Sequence, residues 1–249
     1  MNFVVFGGRS PIAISISKSL AESGHGVTHI TRSGSDQIKD VFTGFQINIL
    51  EINLENEINS LEVWTKLLDS KLIDGVVFAQ RYRGNQDDIK SMFQCDVITP
   101  YSIMKEYCSR ENPRIKKVLI LTSPAAHRII KDQGFPYHAT KAALLHLVKY
   151  LAAGSLGNVL ANAISPASYI LKERNESFYK TNHNYFKLLS ENIPSGSFSV
   201  VDDISIAAKF LLLNASSSFN GMEIVIDGGL SIIDQSNLMK RFINLDSEF

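Results

Sequence analysis

The chain has few cysteines, no charge cluster and no long hydrophobic run, and each absence excludes a class of protein. Cys95 and Cys108 are the two cysteines among 249 residues, too few for a disulfide-stabilised secreted domain. They show no metal-ligand spacing with the six histidines, so we expect no metal site. The 25 basic and 25 acidic residues cancel, and basic residues form no run, which argues against a nucleic-acid partner.

Membrane insertion and export are also disfavoured by the sequence. No apolar run approaches the roughly 20 residues that a membrane-spanning helix needs. The N-terminus enters an apolar strand pattern at Asn2 without the charged and apolar regions of a signal peptide. We therefore expect a soluble cytoplasmic protein with no membrane partner.

Hydrophobic side chains make up 45% of the chain and recur in a pattern typical of an α/β protein. Short apolar runs alternate with helical periodicity, which favours right-handed βαβ units and parallel strands. The predicted strands cover residues 2–6, 27–31, 45–50, 73–79, 117–122, 159–164 and 222–226. The predicted helices cover residues 11–24, 58–68, 88–108, 136–153 and 201–213. We expect one domain over residues 1–249, with a Rossmann-like, doubly wound parallel sheet of about seven strands and helices on both faces.

A glycine-rich turn follows the first predicted strand directly. It reads Gly7-Gly8-Arg9-Ser10-Pro11, with a good N-cap in Ser10 and a proline suited to the first helical position. The free backbone N–H groups and the positive dipole end of the following helix suit a pyrophosphate. An ordinary turn between a strand and a helix is the alternative.

The end of the second predicted strand bears on the choice of dinucleotide. Arg32, and not an acidic residue, follows Thr31 there. A guanidinium favours a 2′-phosphate, whereas a carboxylate would bind a free 2′-hydroxyl, so these residues predict NADP rather than NAD. Arg9 could assist, and the alternative for Arg32 is a solvated loop arginine.

Tyr137 and Lys141 stand four residues apart on a predicted helix and share one face of it. A nearby positive charge favours the ionised form of a phenol, which eases proton transfer near neutral pH. Ser123, just after a predicted strand, could hold a substrate oxygen beside that phenol. Tyr101 and Lys105 show the same spacing without such a serine, so the spacing alone is not specific.

Three further segments carry a family resemblance. Asn162-Ala-Ile-Ser-Pro166 follows the sixth predicted strand, while Ile193-Pro-Ser-Gly-Ser-Phe198 and Asn220-Gly-Met-Glu-Ile-Val-Ile-Asp-Gly-Gly229 stand nearer the C-terminus. With the serine, tyrosine and lysine, they resemble the short-chain dehydrogenase/reductase family in its compact single-domain branch, over nearly the whole chain. The C-terminal segments are similar to those of 3-oxoacyl-[acyl-carrier-protein] reductase-like members.

The resemblance implies an oxidoreductase that transfers a hydride between NADPH and a carbonyl or secondary alcohol. It implies that Tyr137 is the general acid of carbonyl reduction, that Lys141 favours its phenolate and binds the nicotinamide ribose, and that Ser123 polarises the substrate oxygen. It also implies a cofactor site formed by Gly7, Arg9, Ser10, Pro11, Ile12, Arg32, Asn53, Leu54, Ala79, Tyr137, Lys141 and Pro166.

The chain departs from the family pattern at two cofactor motifs. Where the family has T-G-x-x-x-G-x-G, Phe6 replaces the threonine, and Pro11 and Ala13 replace the second and third glycines. Ala13 is small enough for helix and strand to pack closely, so we expect cofactor binding to survive in weakened form. The segment Phe78-Ala-Gln-Arg81 replaces the family's N-N-A-G, which leaves the contacts there open.

Asp96 stands where family members commonly have an asparagine that supports the lysine. A carboxylate there could pair with Lys141 and partly cancel its field at Tyr137, giving lower activity or a higher pH optimum. We therefore count Asp96 among the candidate catalytic residues. The alternative is an exposed aspartate on a helix surface.

Residues 167–192 correspond to the family's variable substrate lid, and residues 230–249 form an apolar tail. The lid carries aromatic residues that suit a polar or charged substrate with an apolar portion, or that pack the lid itself: Tyr169, Phe178, Tyr179, His183, Tyr185 and Phe186. Arg81 and Arg83 could face a substrate phosphate or carboxylate, or could be solvated. The tail, and the assembly usual in the family, lead us to expect a homotetramer or homodimer.

Three functions fit these observations. An active NADP-dependent carbonyl reductase or alcohol dehydrogenase is favoured, because the serine, tyrosine and lysine are all present. A nucleotide-binding regulatory or structural subunit that has lost turnover is the alternative suggested by the altered motifs. A sugar-nucleotide epimerase or dehydratase also uses a tyrosine and lysine pair, but such enzymes resemble a longer branch with an added C-terminal domain.

Overall fold

The computed structural model describes residues 1–111, 116–167, 170–171, 177–178 and 180–242. The strands in these residues are β1 (Asn2–Phe6), β2 (Gly26–Thr31), β3 (Ile47–Glu51), β4 (Gly75–Phe78), β5 (Lys116–Leu121), β6 (Val159–Pro166), β7 (Ile170–Leu171), β8 (Ser199–Val200) and β9 (Glu223–Ile226). The helices are α1 (Pro11–Glu22), α2 (Ser35–Lys39), α3 (Glu57–Ser70), α4 (Ile89–Phe93), α5 (Thr99–Ser109), α6 (Phe135–Ala152), α7 (His183–Asn192), α8 (Val201–Lys209) and α9 (Gln235–Phe242).

Within the described residues, seven strands form one parallel sheet in the order β3-β2-β1-β4-β5-β6-β9. The predicted fold class is therefore confirmed. The strand order reverses between β1 and β4, which pair in register from Phe3 with Gly75 to Phe6 with Phe78. A crevice outside the carboxyl ends of the strands at such a reversal is the usual ligand site of this architecture.

Alternation along the strands builds a hydrophobic layer on each face of the sheet. Val4 and Phe6 pack in the layer that holds α3, α5 and α6, whereas Phe3 and Val5 pack in the layer that holds α1 and α8. Trp64 of α3 is completely buried, and its indole N–H donates to the Ile103 carbonyl oxygen at 3.0 Å. Because both faces are covered, the strands could be recognised as near-continuous apolar runs.

The structure differs from the predicted elements mainly where a helix is interrupted. The predicted helix 88–108 is broken by a π-helical turn, Gln94–Ile98, between α4 and α5. The predicted helix 201–213 likewise ends in a π-helical turn, Phe210–Asn214. The sequence analysis did not predict helices α2, α7 and α9 or the short β7–β8 pair. Helix α2 and the two strands are too short to show an apolar period.

The predicted lid and tail are described only in part. Of the residues named there, Tyr169 and Tyr179 of the lid lie outside the described residues, as do tail residues 243–249. The described part of the chain contains no helix with the length and hydropathy to cross a membrane.

Candidate active site

The glycine-rich turn brings β1 and α1 unusually close together. A Cβ atom placed on Gly7 would lie 2.2 Å from the Cβ of Ala13, so a side chain at position 7 has no room. Gly8 has a φ of +51°, which favours glycine. Ser10 occupies the N-cap position of α1, but its side chain makes no capping hydrogen bond, in contrast to the sequence expectation. The first N–H groups of α1 therefore receive no hydrogen bond from the Ser10 side chain, which leaves them available to a ligand such as a pyrophosphate.

A buried histidine holds this turn in place. His29 of β2 lies 2.7 Å through Nε2 from the Gly8 carbonyl oxygen and 2.8 Å through Nδ1 from the Ser17 hydroxyl. Burial lowers the pKa of His29 to about 4, although its hydrogen bond to the Gly8 carbonyl acts in the opposite direction. The neutral ring can donate to Gly8 and accept from Ser17, which accounts for both contacts.

A cavity of about 370 Å³ opens over the glycine turn and the ends of β1, β2 and β4. Six of the residues predicted to bind cofactor line it: Gly7, Arg9, Ser10, Arg32, Leu54 and Ala79. Arg32 Nη1 lies 2.6 Å from Glu55 Oε1, and the Arg32 side chain remains 60% exposed. Arg9 Nη1 donates to Gln37 Oε1 at 2.7 Å.

Two predicted cofactor residues do not line either cavity of the crevice. Pro11 lies at the first position of α1 and shapes the turn. Asn53 turns back on its own loop, where Oδ1 accepts a hydrogen bond from the Glu55 N–H at 3.2 Å. Their predicted contact with a cofactor stays a prediction.

A second cavity of about 330 Å³ adjoins the first and shares Ser10, Ala79, Gln80, Arg81 and Arg83 with it. Ser123, Tyr137 and Lys141 all line this second cavity, together with Ile12 and Pro166. Tyr101, the other tyrosine with a lysine four residues later, lies on α5 and lines neither cavity. The three candidate catalytic residues thus meet beside the crevice, as the sequence predicts.

The three side chains are held by different local contacts. Lys141 is buried on α6, and its Nζ donates to the Leu121 carbonyl oxygen at 3.0 Å. The Ser123 hydroxyl oxygen accepts from the Ala125 N–H at 3.2 Å, which leaves its proton available to a ligand. Lys141 Nζ lies 5.8 Å from the centroid of the Tyr137 ring.

A second cation also contacts the tyrosine ring. Arg81, on the loop after β4, places its guanidinium carbon 4.3 Å from the ring centroid of Tyr137. Its Nη2 donates to Gln133 Oε1 at 2.7 Å, which fixes the guanidinium in that position. The phenol therefore stands near two positive charges.

Asp96 differs from both sequence expectations. It is completely buried in the π-helical turn, so the alternative of an exposed helix aspartate is wrong. The expected ion pair with Lys141 is not formed either, since Oδ1 accepts from the Tyr82 N–H at 2.8 Å and Lys141 bonds to Leu121. Burial raises the pKa of the Asp96 carboxyl, while the charge of Lys141 acts in the opposite direction. Burial therefore favours the protonated form of Asp96, whereas the sequence analysis assumed a carboxylate.

Buried acceptors without a partner mark positions that a ligand could satisfy. Among the described residues, four buried side-chain oxygens make no hydrogen bond: Gln80 Oε1, Asp96 Oδ2, Ser165 Oγ and Asn192 Oδ1. Gln80 lines both cavities, so a donor from a bound nucleotide could reach its buried oxygen. The glycine turn, the exposed helix start and this free acceptor fit a dinucleotide.

Sequence reasoning missed three residues of the site. His29, Glu55 and Gln80 were not singled out, although Glu55 follows Asn53 by two residues and stands on the same predicted loop. A histidine inside an apolar strand run is the signal that could have identified His29, since a buried imidazole needs polar partners. Gln80 carries no such signal, because its orientation depends on the course of the loop after β4.

These features are typical of an α/β protein with a dinucleotide crevice, and a serine, a tyrosine and a lysine line the cavity that adjoins it. Residues 8–231 match the family model described as enoyl-(acyl carrier protein) reductase. The chain belongs to the short-chain dehydrogenase/reductase family, as its motifs predicted.

Comparison with individual proteins supports the same assignment. The chain is 34% identical to D-threitol dehydrogenase of Mycolicibacterium smegmatis over 117 residues, which cover 46% of this chain and 43% of that protein. It is 26% identical to a tropinone reductase homolog of Arabidopsis thaliana over 249 residues, covering 93% of each. The solved structure of 4-hydroxyisoleucine dehydrogenase with NADH superposes with a TM-score of 0.81 at 22% identity, covering 94% of this chain and 99% of that one. Structures of this fold have been solved with NADH or with NADP.

Proposed function

We propose that the chain is an NADP(H)-dependent oxidoreductase that interconverts a carbonyl compound and a secondary alcohol, similar to the 3-oxoacyl reductases. Membership of the family supports oxidoreductase chemistry with a nicotinamide dinucleotide. The observation that carries the proposal is the convergence of Ser123, Tyr137 and Lys141 on one cavity that adjoins the dinucleotide crevice.

Each of the three residues has a distinct part in carbonyl reduction. Bound NADPH would supply the hydride. Ser123 donates a hydrogen bond to the substrate oxygen and orients the carbonyl, without transferring its proton. Tyr137 donates a proton to that oxygen as negative charge develops on it, and takes the proton back in alcohol oxidation. The Lys141 ammonium stabilises the negative charge that Tyr137 carries after proton transfer, and its hydrogen bond to the Leu121 carbonyl oxygen keeps it in position.

The preference for NADP over NAD rests on Arg32. Its side chain is mostly exposed at the end of β2 and lines the first cavity, where a guanidinium suits a 2′-phosphate. Glu55 pairs with it and competes for the same N–H groups, so the preference is smaller than an unpaired arginine would give. Arg9 is a second cation on the rim of the same cavity.

A nucleotide-binding subunit without turnover is the second candidate. Pro11 and the buried Asp96 are the observations that favour it, because each replaces a residue that the family commonly uses at its site. The two functions differ in whether a chemical step follows cofactor binding.

The proposal is tested by Tyr137→Phe, with Tyr101→Phe as the matched control. The proton donor is lost in the first variant only, so we expect the rate of NADPH oxidation with a panel of aldehydes and ketones to fall about 100- to 10,000-fold. The affinity for NADPH, measured by nicotinamide fluorescence, should stay within about twofold. Equal rates in the two variants would contradict the role of Tyr137, and NADPH binding without turnover of any carbonyl by wild type would favour the second candidate.

A further inference from the structure

Arg81 is placed where it can contact a substrate. The family's N-N-A-G segment is replaced here by Phe78-Ala-Gln-Arg81, so a long cationic side chain stands at the position of the motif's glycine. Arg81 is half-buried, lines both cavities and places its guanidinium carbon over the Tyr137 ring. Among the described residues, Arg81 forms one hydrogen bond with a side chain, to Gln133. It forms no ion pair with any described residue. Most of its donors therefore remain for a ligand.

The charges that face the second cavity are mainly positive. Arg81, Arg83 and Lys141 line it, against one carboxylate, Asp132, which is exposed. Lys141 is occupied by the Leu121 carbonyl, and the neighbouring Asp96 does not line the cavity. A cavity with this balance concentrates anions, and the planar guanidinium is suited to bind a carboxylate through two parallel hydrogen bonds.

We propose that Arg81 binds a carboxylate of the substrate, so that the enzyme acts on short oxo acids and the corresponding hydroxy acids. The inference rests on the proposed function, whose substrate class it specifies. The guanidinium carbon is 4.3 Å from the Tyr137 ring centroid, and hydrogen bonds of about 2.8 Å extend from both the guanidinium and the phenol. A carboxylate one or two carbons from the carbonyl can therefore reach Arg81 while the carbonyl oxygen contacts Tyr137.

Two other roles for Arg81 make different predictions. If the arginine only positions the Tyr137 ring, its loss slows every substrate by the same factor. If it binds the cofactor diphosphate, which its place between the two cavities would allow, its loss weakens NADPH binding itself. If Arg81 binds the substrate carboxylate, the loss of Arg81 slows the reaction of charged substrates and leaves that of uncharged substrates nearly unchanged.

The kinetic test compares 2-oxo and 3-oxo acids of three to six carbons with their methyl esters, which keep the carbonyl and remove the charge. Wild type should show a kcat/KM at least about tenfold higher for the acids than for the esters, the usual contribution of a charged hydrogen bond. Arg81→Gln should remove that difference and leave the rate with esters within about threefold. Arg81→Lys should keep part of it, because a point charge remains without the planar fork.

Lys131→Gln is the charge-matched control. Lys131 is exposed on the loop before α6 and lines neither cavity, so its loss changes the net charge equally without touching the site. The acid-to-ester ratio should be unchanged in this variant. A ratio near one in wild type, or an equal loss with acids and esters in Arg81→Gln, would overturn the proposal.

A binding measurement covers the case in which no compound of the panel turns over. The NADPH-loaded protein is titrated with malonate and glutarate, and with their diamides as neutral probes, while the melting temperature is followed. The diacids should raise the melting temperature of wild type and of Lys131→Gln, but not of Arg81→Gln. No rise with the diacids in wild type, or a weaker affinity of Arg81→Gln for NADPH alone, would overturn the inference. Failure of wild type to bind NADPH at all would instead overturn the proposed function.

Discussion

At the scale of single residues, Asp96 is the position where the structure changes the chemistry most. Its carboxyl is buried without an ion pair, and burial raises its pKa above the ordinary 3.8. The folded state therefore binds the proton more tightly than the unfolded chain does. The contribution of Asp96 to the free energy of unfolding therefore falls as the pH rises above about 4, because the buried group must then lose its proton or leave the interior.

Asp96→Asn should accordingly raise the melting temperature at neutral pH, and the gain should shrink as the pH is lowered toward 4. Thermal unfolding at several pH values between 4 and 8 checks this, with Asp87→Asn, an exposed carboxylate on the preceding loop, as the control. A loss of stability that grows with pH would contradict the assignment, since it would mean that the charged carboxylate is the stabilised form.

The residues of the active site were predictable to different degrees. Tyr137 and Lys141 lie four apart on one helix, so a local rule brings them together. Ser123 could be added because the carboxyl end of a parallel strand meets the same edge of the sheet. Arg81 contacts Tyr137 across 56 positions of the chain, and Asp96 meets the Tyr82 N–H through an irregular turn. Neither contact follows from a local period.

At the scale of elements, the π-helical turn Gln94–Ile98 shows how a small irregularity positions a functional group. The sequence predicted one helix over 88–108, since its apolar period does not reveal an extra residue in a turn. The turn directs Asp96 inward, where its carboxyl oxygen Oδ1 accepts a hydrogen bond from the backbone N–H of Tyr82. The loop that carries Arg81 is thereby attached to the helix layer.

The glycine turn depends on β2 through His29, and this contact makes the turn sensitive to acid. The pKa of His29 is lowered from 6.5 to about 4 by burial, so the native state favours the neutral ring. Its contribution to stability is present above pH 6.5 and is lost as the pH falls through 4. Between pH 7.5 and 5 the loss should be on the order of 2 kcal/mol.

His29→Gln tests whether protonation of His29 causes the loss of stability, because glutamine can still donate a hydrogen bond to the Gly8 carbonyl oxygen but does not titrate. Urea unfolding at pH 7.5 and 5 should show a smaller loss of stability in this variant than in wild type. His146→Gln, which removes an exposed histidine of α6, should behave as wild type. An unchanged pH dependence in His29→Gln would show that His29 is not the group responsible.

At the scale of the whole molecule, the order of strands and helices was predictable because the five central strands of the sheet are buried on both faces and form apolar runs. The parallel order then follows from the right-handed crossover between successive strands. The arrangement of the lid was not predictable, since its aromatic residues show no periodicity that indicates whether they pack within the lid or contact a substrate. The expected homodimer or homotetramer stays a prediction, and sedimentation at micromolar concentration would measure it against the monomer mass of 27.7 kDa.

The central claim is that the crevice binds NADP(H) beside Tyr137, and its most direct test is a titration with NADPH and with NADH, followed by nicotinamide fluorescence. Wild type should bind both dinucleotides saturably, with a higher affinity for NADPH than for NADH. Arg32→Ala should lose about tenfold in affinity for NADPH, while its affinity for NADH stays nearly unchanged. Absence of NADPH binding, or tighter binding of NADH, would contradict the account.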